Sequence, residues 1–257
     1  MITKKNIKKS LDNPPYYKVV RINNNNGARN FKSYFIKFAK RLGNIRIQNK
    51  NNDKILEIKA NLKKIKLLKK KKKKIKSFLR YHETNLGGSI HSDGPQLSNP
   101  PKYLIMACEN NSVKGGDTIV ADTKKIYKYL RKKKPKYLNI LKSKFFFERR
   151  GFKYSNKNVF NKSIFQLSNK KFTFRYLRDY IEKGYEIKKI KIPLQYIKAL
   201  NYLDKLLSSK KFIKRFKLNR GDLIIINNQV MAHGRTTFHL DTKNINPGRK
   251  LYRIWIN

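Results

Sequence analysis

Apolar positions along this chain recur in two rhythms. Residues 16–22 (Tyr-Tyr-Lys-Val-Val-Arg-Ile) read as a first strand. A loop carried by Asn23 to Asn26 and Gly27 follows. Phe31, Tyr34, Phe35, Phe38 and Leu42 then recur at helical spacing, and Gly43 stops the run. The aromatic stripe of that helix reads as core packed on something larger. Residues 62–79 carry Leu62, Ile65, Leu67, Leu68, Ile75 and Phe78 around the run Lys69 to Lys74. They read as a helix or as a poorly ordered basic segment, because six like charges repel one another.

From Ser77 onward the texture changes to short apolar runs of strand length. These are Tyr103 to Cys108, Thr118 to Val120, Phe145 to Phe147, Phe172 to Tyr176, Leu223 to Ile226 and Leu251 to Ile256. Turn residues such as Gly94-Pro95, Pro100-Pro101 and Gly115-Gly116-Asp117 separate them. Two helical stretches interrupt the series. One starts at Asp122, a good N-cap, and runs to about Arg131; the other spans roughly Pro193 to Leu207. No internal repeat is visible. A mainly β core with flanking helices fits a double-stranded β-helix (jelly-roll, cupin-like). The whole of residues 1–257 reads as a single domain: 1–76 hold the N-terminal strand, helix and lysine-rich segment, and 77–257 hold the core.

Composition adds one oddity. Hydrophobic residues make up 39% and aromatics 12%, enough for a core despite the charge. Lys+Arg number 64 against 15 Asp+Glu, a net charge of +49. Such a balance points to nucleic acid or another anionic surface as a partner. It also follows from drift in an AT-rich genome, which raises Lys, Asn, Ile, Phe and Tyr together. The lysines are spread over the whole length, which favours drift and leaves nucleic acid only as a non-specific electrostatic partner. Cys108 is the single cysteine, so no internal disulfide can form and a reducing compartment fits. The N-terminal residues lack the apolar stretch of a leader, and no apolar run approaches ~20 residues. A soluble cytoplasmic protein is expected.

The candidate chemistry starts at His91-Ser92-Asp93. On an extended chain, side chains two apart point the same way, so both can reach one metal ion. The bland alternative is a His–Asp hydrogen bond in a turn. A third ligand must come from His82, His233 or His239, the other histidines. His233 stands at the far end of the apolar run that begins after Gly221-Asp222. Two histidines and one carboxylate make the facial triad of non-haem Fe(II) oxygenases. His82 and His239 fit structural or surface roles.

At these residues the chain resembles a known family. His91-Ser92-Asp93-Gly94-Pro95, running on to Tyr103, is similar to the first metal motif of the taurine dioxygenase (TauD/TfdA-like) family, which includes clavaminate synthase-like and γ-butyrobetaine hydroxylase-like enzymes. Gly115-Gly116-Asp117-Thr118 resembles the next block, and His233-Gly234-Arg235-Thr236 the distal histidine motif. Arg249-Lys250-Leu251-Tyr252-Arg253 resembles the closing strand with two arginines four apart. The resemblance covers residues 77–257 well and 16–44 faintly. It implies an iron centre of His91, Asp93 and His233, with 2-oxoglutarate as co-substrate and O₂ as oxidant. It gives Thr118 a hydrogen bond to 2-oxoglutarate and Arg249 the hold on its distal carboxylate. Arg253 would touch the keto-acid carboxylate or the substrate. The chemistry asks for such groups on its own account, since arginine's planar fork suits a carboxylate.

The implied activity is oxidation, chiefly hydroxylation, of an unactivated C–H in a small molecule, with release of succinate and CO₂. Desaturation and cyclisation are the related outcomes. An intact Asp93 argues against halogenation, which needs that ligand position vacated for chloride. Asn227-Asn228 departs from the Asp-Asn common in the family, a change expected to touch local hydrogen bonding only. Residues 45–76 match nothing in the resemblance. Asn85, Arg175 and Arg178 are the candidates for substrate contact, set against an equally good reading of 174–181 as a strand leading into a surface helix. Two rival classes are a nucleic-acid demethylase with the same triad and a non-catalytic polyanion-binding protein on the same fold.

Overall fold

A computed structural model describes residues 3–22, 31–49, 51–72, 81–149, 158–168, 171–240 and 248–257. The expected loop at 23–27 and the end of the lysine run beyond Lys72 lie outside them. In chain order the elements begin with α1 (Lys4–Asp12), β1 (Tyr17–Arg21), α2 (Phe31–Leu42), β2 (Ile45–Arg46), β3 (Ile55–Lys59) and α3 (Leu62–Lys70). They continue with β4 (Gly88–His91), β5 (Tyr103–Asn110), β6 (Thr118–Asp122), α4 (Thr123–Lys133), α5 (Pro135–Lys142), β7 (Lys144–Glu148) and β8 (Val159–Ser163). The last are β9 (Phe165–Ser168), β10 (Lys171–Phe174), α6 (Arg178–Lys188), α7 (Leu194–Leu207), β11 (Ile213–Phe216), β12 (Asp222–Asn227), β13 (Met231–Arg235) and β14 (Lys250–Ile256).

Two antiparallel sheets form the jelly-roll core. The larger runs β1-β12-β5-β14-β2, with β3 also paired to β14. The smaller runs β11-β6-β13-β4. Strand parity decides which residues meet which layer. On β5, β12 and β14, Leu104, Met106, Cys108, Ile224, Ile226, Leu251 and Trp255 join the main core cluster. Their neighbours Tyr103, Ile105, Ala107, Leu223, Ile225, Tyr252, Ile254 and Ile256 pack instead with Ile7 and Leu11 of α1 and Phe31, Phe35, Ala39 and Leu42 of α2. Both faces are covered, which is why these strands read as unbroken apolar runs. Residues between β6 and β11 form the helical insert, whose Leu138, Leu141, Phe145, Phe147, Phe174, Leu200 and Leu203 extend the main core.

Several expectations need adjusting. Helix α1 had no expectation at all: its Ile7 and Leu11 are one helical turn apart among lysines, and Thr3 caps it by accepting from the Asn6 N–H. Residues 45–59, which matched nothing, supply β2 and β3 along the outer edge of β14. The Asp122 cap holds, its carboxylate accepting from Lys125 N–H at 2.9 Å. Among the described residues no helix is long and apolar enough to cross a membrane.

Candidate metal centre

Ladder register brings the histidines together. His91 on the edge strand β4 lies directly opposite His233 on β13, so both side chains leave the same face. Their ring centroids are 4.5 Å apart. The two rings lie well over a hundred residues apart in the chain and meet only because β4 and β13 pair. The Nδ1 of His91 is 2.7 Å from the Ser89 carbonyl, which fixes its proton there and leaves Nε2 for a metal. Tyr81 packs edge-on against the same ring at 5.7 Å.

Asp93 follows where β4 ends. Its Oδ1 is 3.6 Å from His91 Nε2 and 3.9 Å from His233 Nε2. Candidate ligand atoms of the three residues all lie within 4.8 Å of one another, and all three residues are buried. The Asp93 carboxylate is held from two sides by β14. Arg253 Nη1 donates to Oδ1 at 3.0 Å, and Trp255 Nε1 donates to Oδ2 at 2.8 Å. Its backbone is clamped by Asn228, which accepts from Asp93 N–H at 2.7 Å and donates to the Asp93 carbonyl at 2.9 Å. Burial alone would raise the Asp93 carboxyl, but Arg253, the His91 hydrogen bond and His233 together hold it well below the usual carboxylate range. Burial, with His91 beside it, pushes the His233 imidazole down to about 3. The donor set, with His233 held neutral and an ionised carboxylate beside it, fits a divalent ion such as Fe(II).

The cavity against this triad is also lined by Thr118, Arg235, Arg249 and Arg253. Thr118 on β6 faces Arg235 on β13 across the ladder, two pairs along from Val120 facing His233. Arg249 is buried, and its Nε donates to the Gly116 carbonyl at 3.4 Å. Gly116 has φ 74°, and a Cβ there would meet Ser112 Oγ at 2.5 Å and Arg249 Cδ at 3.0 Å. The glycine pair before Thr118 thus makes room for the Arg249 stem. Burial and the neighbouring Arg235 lower the Arg249 guanidinium to about 10. No carboxylate pairs with Arg249 among the described residues. Arg235 differs: it donates to the Tyr81 and Thr84 carbonyls and lies over the Tyr81 ring at 4.2 Å.

The three candidate substrate residues lie elsewhere. Asn85 donates its amide to the Phe238 carbonyl at 3.1 Å and lines an outer pocket with Leu62, Ile65 and Leu240. Arg175 is buried and donates to the Leu97 and Ser98 carbonyls at 2.6 and 3.1 Å, stapling the turn that follows Asp93. Arg178 opens α6 and pairs with Glu182 at 2.6 Å and Asp204 at 3.0 Å. None lines the triad cavity, since each guanidinium or amide is spent on a local carbonyl or carboxylate. Of the other histidines, His82 lines the triad cavity and His239 an outer pocket beside Lys59 and Lys114. Asn227, where the chain departs from Asp-Asn, donates to the Leu11 carbonyl and accepts from the Gln229 N–H, while its neighbour Asn228 holds the backbone of Asp93. Gln48, Tyr81, Asn228 and Trp255 were not singled out from the sequence. Trp255 alone had a usable signal, two residues from Arg253 on one strand.

Residues 17–255 match the family model for the Taurine catabolism dioxygenase TauD, TfdA family, and the chain belongs to that family. Among individual relatives, γ-butyrobetaine dioxygenase of Homo sapiens is 30% identical over 162 residues, 60% of this chain. The match spans only 41% of that relative's length. Two solved structures share the fold at low identity. Asparagine oxygenase (AsnO) gives a TM-score of 0.72 at 14% identity, covering 98% of this chain and 77% of that one. The non-heme iron oxygenase OrfP, in complex with Fe and alpha-ketoglutaric acid, gives 0.68 at 11% identity, covering 99% and 79%.

Proposed function

We propose that this protein is an Fe(II)- and 2-oxoglutarate-dependent dioxygenase that hydroxylates an unactivated C–H bond of a small organic molecule, releasing succinate and CO₂. The observation that carries this reading is one cavity lined by His91, His233, Thr118 and a buried Arg249 that pairs with no carboxylate among the described residues, with Asp93 beside the two histidines. Fe(II) held by His91, Asp93 and His233 supplies, with 2-oxoglutarate and O₂, the oxidising power for the C–H bond. The chain's own part is to bind and orient. His91 offers Nε2, Asp93 offers Oδ1, and His233 completes the set. Arg249 presents a planar fork suited to the far carboxylate of 2-oxoglutarate, with the Thr118 hydroxyl beside it.

A small, amino-acid-like substrate is supported by the relatives: one acts on γ-butyrobetaine, and the neighbours were solved with 3-hydroxyasparagine and (3S)-hydroxy-L-Arg. We read 1–257 as one dioxygenase domain, because β1, β2 and β3 of the N-terminal region pair with β12 and β14. A lone, buried Cys108 suits a reducing, cytoplasmic setting.

Anaerobic addition of Fe(II) and 2-oxoglutarate tests the proposal. A weak visible charge-transfer band is expected, absent in Asp93→Ala. In Arg249→Gln the 2-oxoglutarate concentration needed for the band rises roughly 10- to 100-fold, the worth of a charge-assisted hydrogen bond. No band from the wild-type protein would sink the reading. Succinate release in the presence of amino acids and betaine carboxylates then identifies the substrate.

A further inference from the structure

The segment that joins β2 to β3 along the edge of β14 matched no motif, yet one of its side chains bonds Arg253 beside the candidate metal centre. Gln48 is 4% exposed. Its Oε1 accepts from Arg253 Nε at 2.8 Å. Its Nε2 donates to the carbonyls of Lys54 at 3.0 Å and Arg253 at 2.8 Å. Its backbone N–H donates to the Asp53 carbonyl at 2.8 Å. Every polar group of the side chain is therefore used, and each bond ties β14 or the β2–β3 segment itself.

Arg253 is a long side chain whose guanidinium can rotate about several bonds. Gln48 takes its Nε, so the plane is fixed while Nη1 meets Asp93 Oδ1 at 3.0 Å. Trp255, two residues on and on the same face of β14, takes Asp93 Oδ2. Both carboxylate oxygens then have set directions, and Oδ1 is the one turned toward both His Nε2 atoms.

We infer that Gln48 is a positioning residue for the metal ligand Asp93, acting through Arg253, and that the segment joining β2 to β3 is part of the metal centre. Arg253 in this arrangement commits its Nε and Nη1 to Gln48 and to the carboxylate. The inference rests on the proposed metal-binding role of the triad.

Trp255 is the only tryptophan of the chain, and its indole N–H contacts the metal ligand. Its fluorescence is therefore a built-in reporter for anaerobic Fe(II) titration. Gln48→Met keeps side-chain length and packing but loses the acceptor for Arg253. Gln48→Glu keeps the acceptor and loses the amide donors. Both are expected to melt at lower temperature than wild type, because Gln48 Nε2 loses its bonds to the Lys54 and Arg253 carbonyls. Only Gln48→Met should weaken Fe(II) binding, by roughly 10-fold, the usual effect of disturbing a group behind a metal ligand. It should also move the 2-oxoglutarate charge-transfer band, while Gln48→Glu restores affinity and band. Arg253→Lys keeps the charge beside Asp93 but has no Nε for Gln48, and should match Gln48→Met even if that variant fails to fold. Equal Fe(II) affinity in all variants, or affinity that merely follows melting temperature, overturns the positioning role. Failure of the wild-type protein to bind Fe(II) overturns the metal reading first and this inference with it.

Discussion

Positive charge stands in two opposite settings in this molecule. Arg175, Arg235 and Arg249 are buried within the core, whereas Lys132, Lys133 and Lys134 at the end of α4 are exposed. A buried guanidinium must be hydrogen-bonded or paired, so its position is specified by many neighbours. An exposed lysine meets water and is specified by little. The buried three also differ among themselves. Arg175 and Arg235 each donate to two backbone carbonyls, while Arg249 has one long bond from Nε to Gly116. Among the described residues, the one with the fewest hydrogen bonds is the one that shares a cavity with His91, His233 and Thr118. The chain's +49 charge is therefore a poorer guide to function than the surroundings of a single buried arginine.

Removing a buried partner should break the contrast most strongly. Asp93→Ala leaves Arg253 without its carboxylate, and thermal or urea unfolding should record a loss of about 3–5 kcal/mol in the metal-free protein. A second change, Arg253→Leu, should recover part of that loss, since no cation then remains uncompensated. Arg175→Met comes next. It strips the Leu97 and Ser98 carbonyls of their donor, for about 2–3 kcal/mol by urea titration, and loosens the turn after Asp93.

Cys108 offers a smaller and cleaner reading of interior burial. Its side chain is fully enclosed and burial pushes the thiol up to about 12, so the thiolate is scarce at pH 8. A disulfide reagent at pH 8 should leave the native protein unmodified over hours and label one thiol on denaturation. Rapid labelling of the native state would show that this end of the large sheet opens. At the other extreme, Lys132→Gln with Lys133→Gln should change stability by no more than about 0.5 kcal/mol. Retention on DNA should disappear by ~0.3 M salt, as for non-specific contacts with phosphates. Binding that persists would mean that the lysines form a real surface site.

Much of the core was legible because unbroken apolar runs of strand length such as Leu223 to Ile226, bounded by turn residues, suit a strand covered on both faces. The ligands His91, Asp93 and His233 were legible because histidines are scarce here. Sequence could not indicate Gln48 or Asn228. Both are ordinary amides whose importance arises from pairing across 205 and 135 positions of chain. Helix α1 escaped notice because two apolar residues among lysines make too narrow a stripe to stand out. Asn85, Arg175 and Arg178 were drawn toward the substrate by proximity in sequence to Asp93 or to a family-like stretch. Local carbonyls and carboxylates claimed them first.

The pairing of His91 with His233 has a consequence for how the protein matures. Side chains on a strand alternate, so sliding β4 by one residue along β13 would turn His91 outward and bring Ile90 to the position opposite His233. A chain folded in that neighbouring register has no pair of imidazoles to offer. Under the proposed metal role, uptake would act as proofreading of assembly, with an ion loading only onto molecules whose edge strand has docked correctly. Once loaded, it taxes any later slippage of that strand.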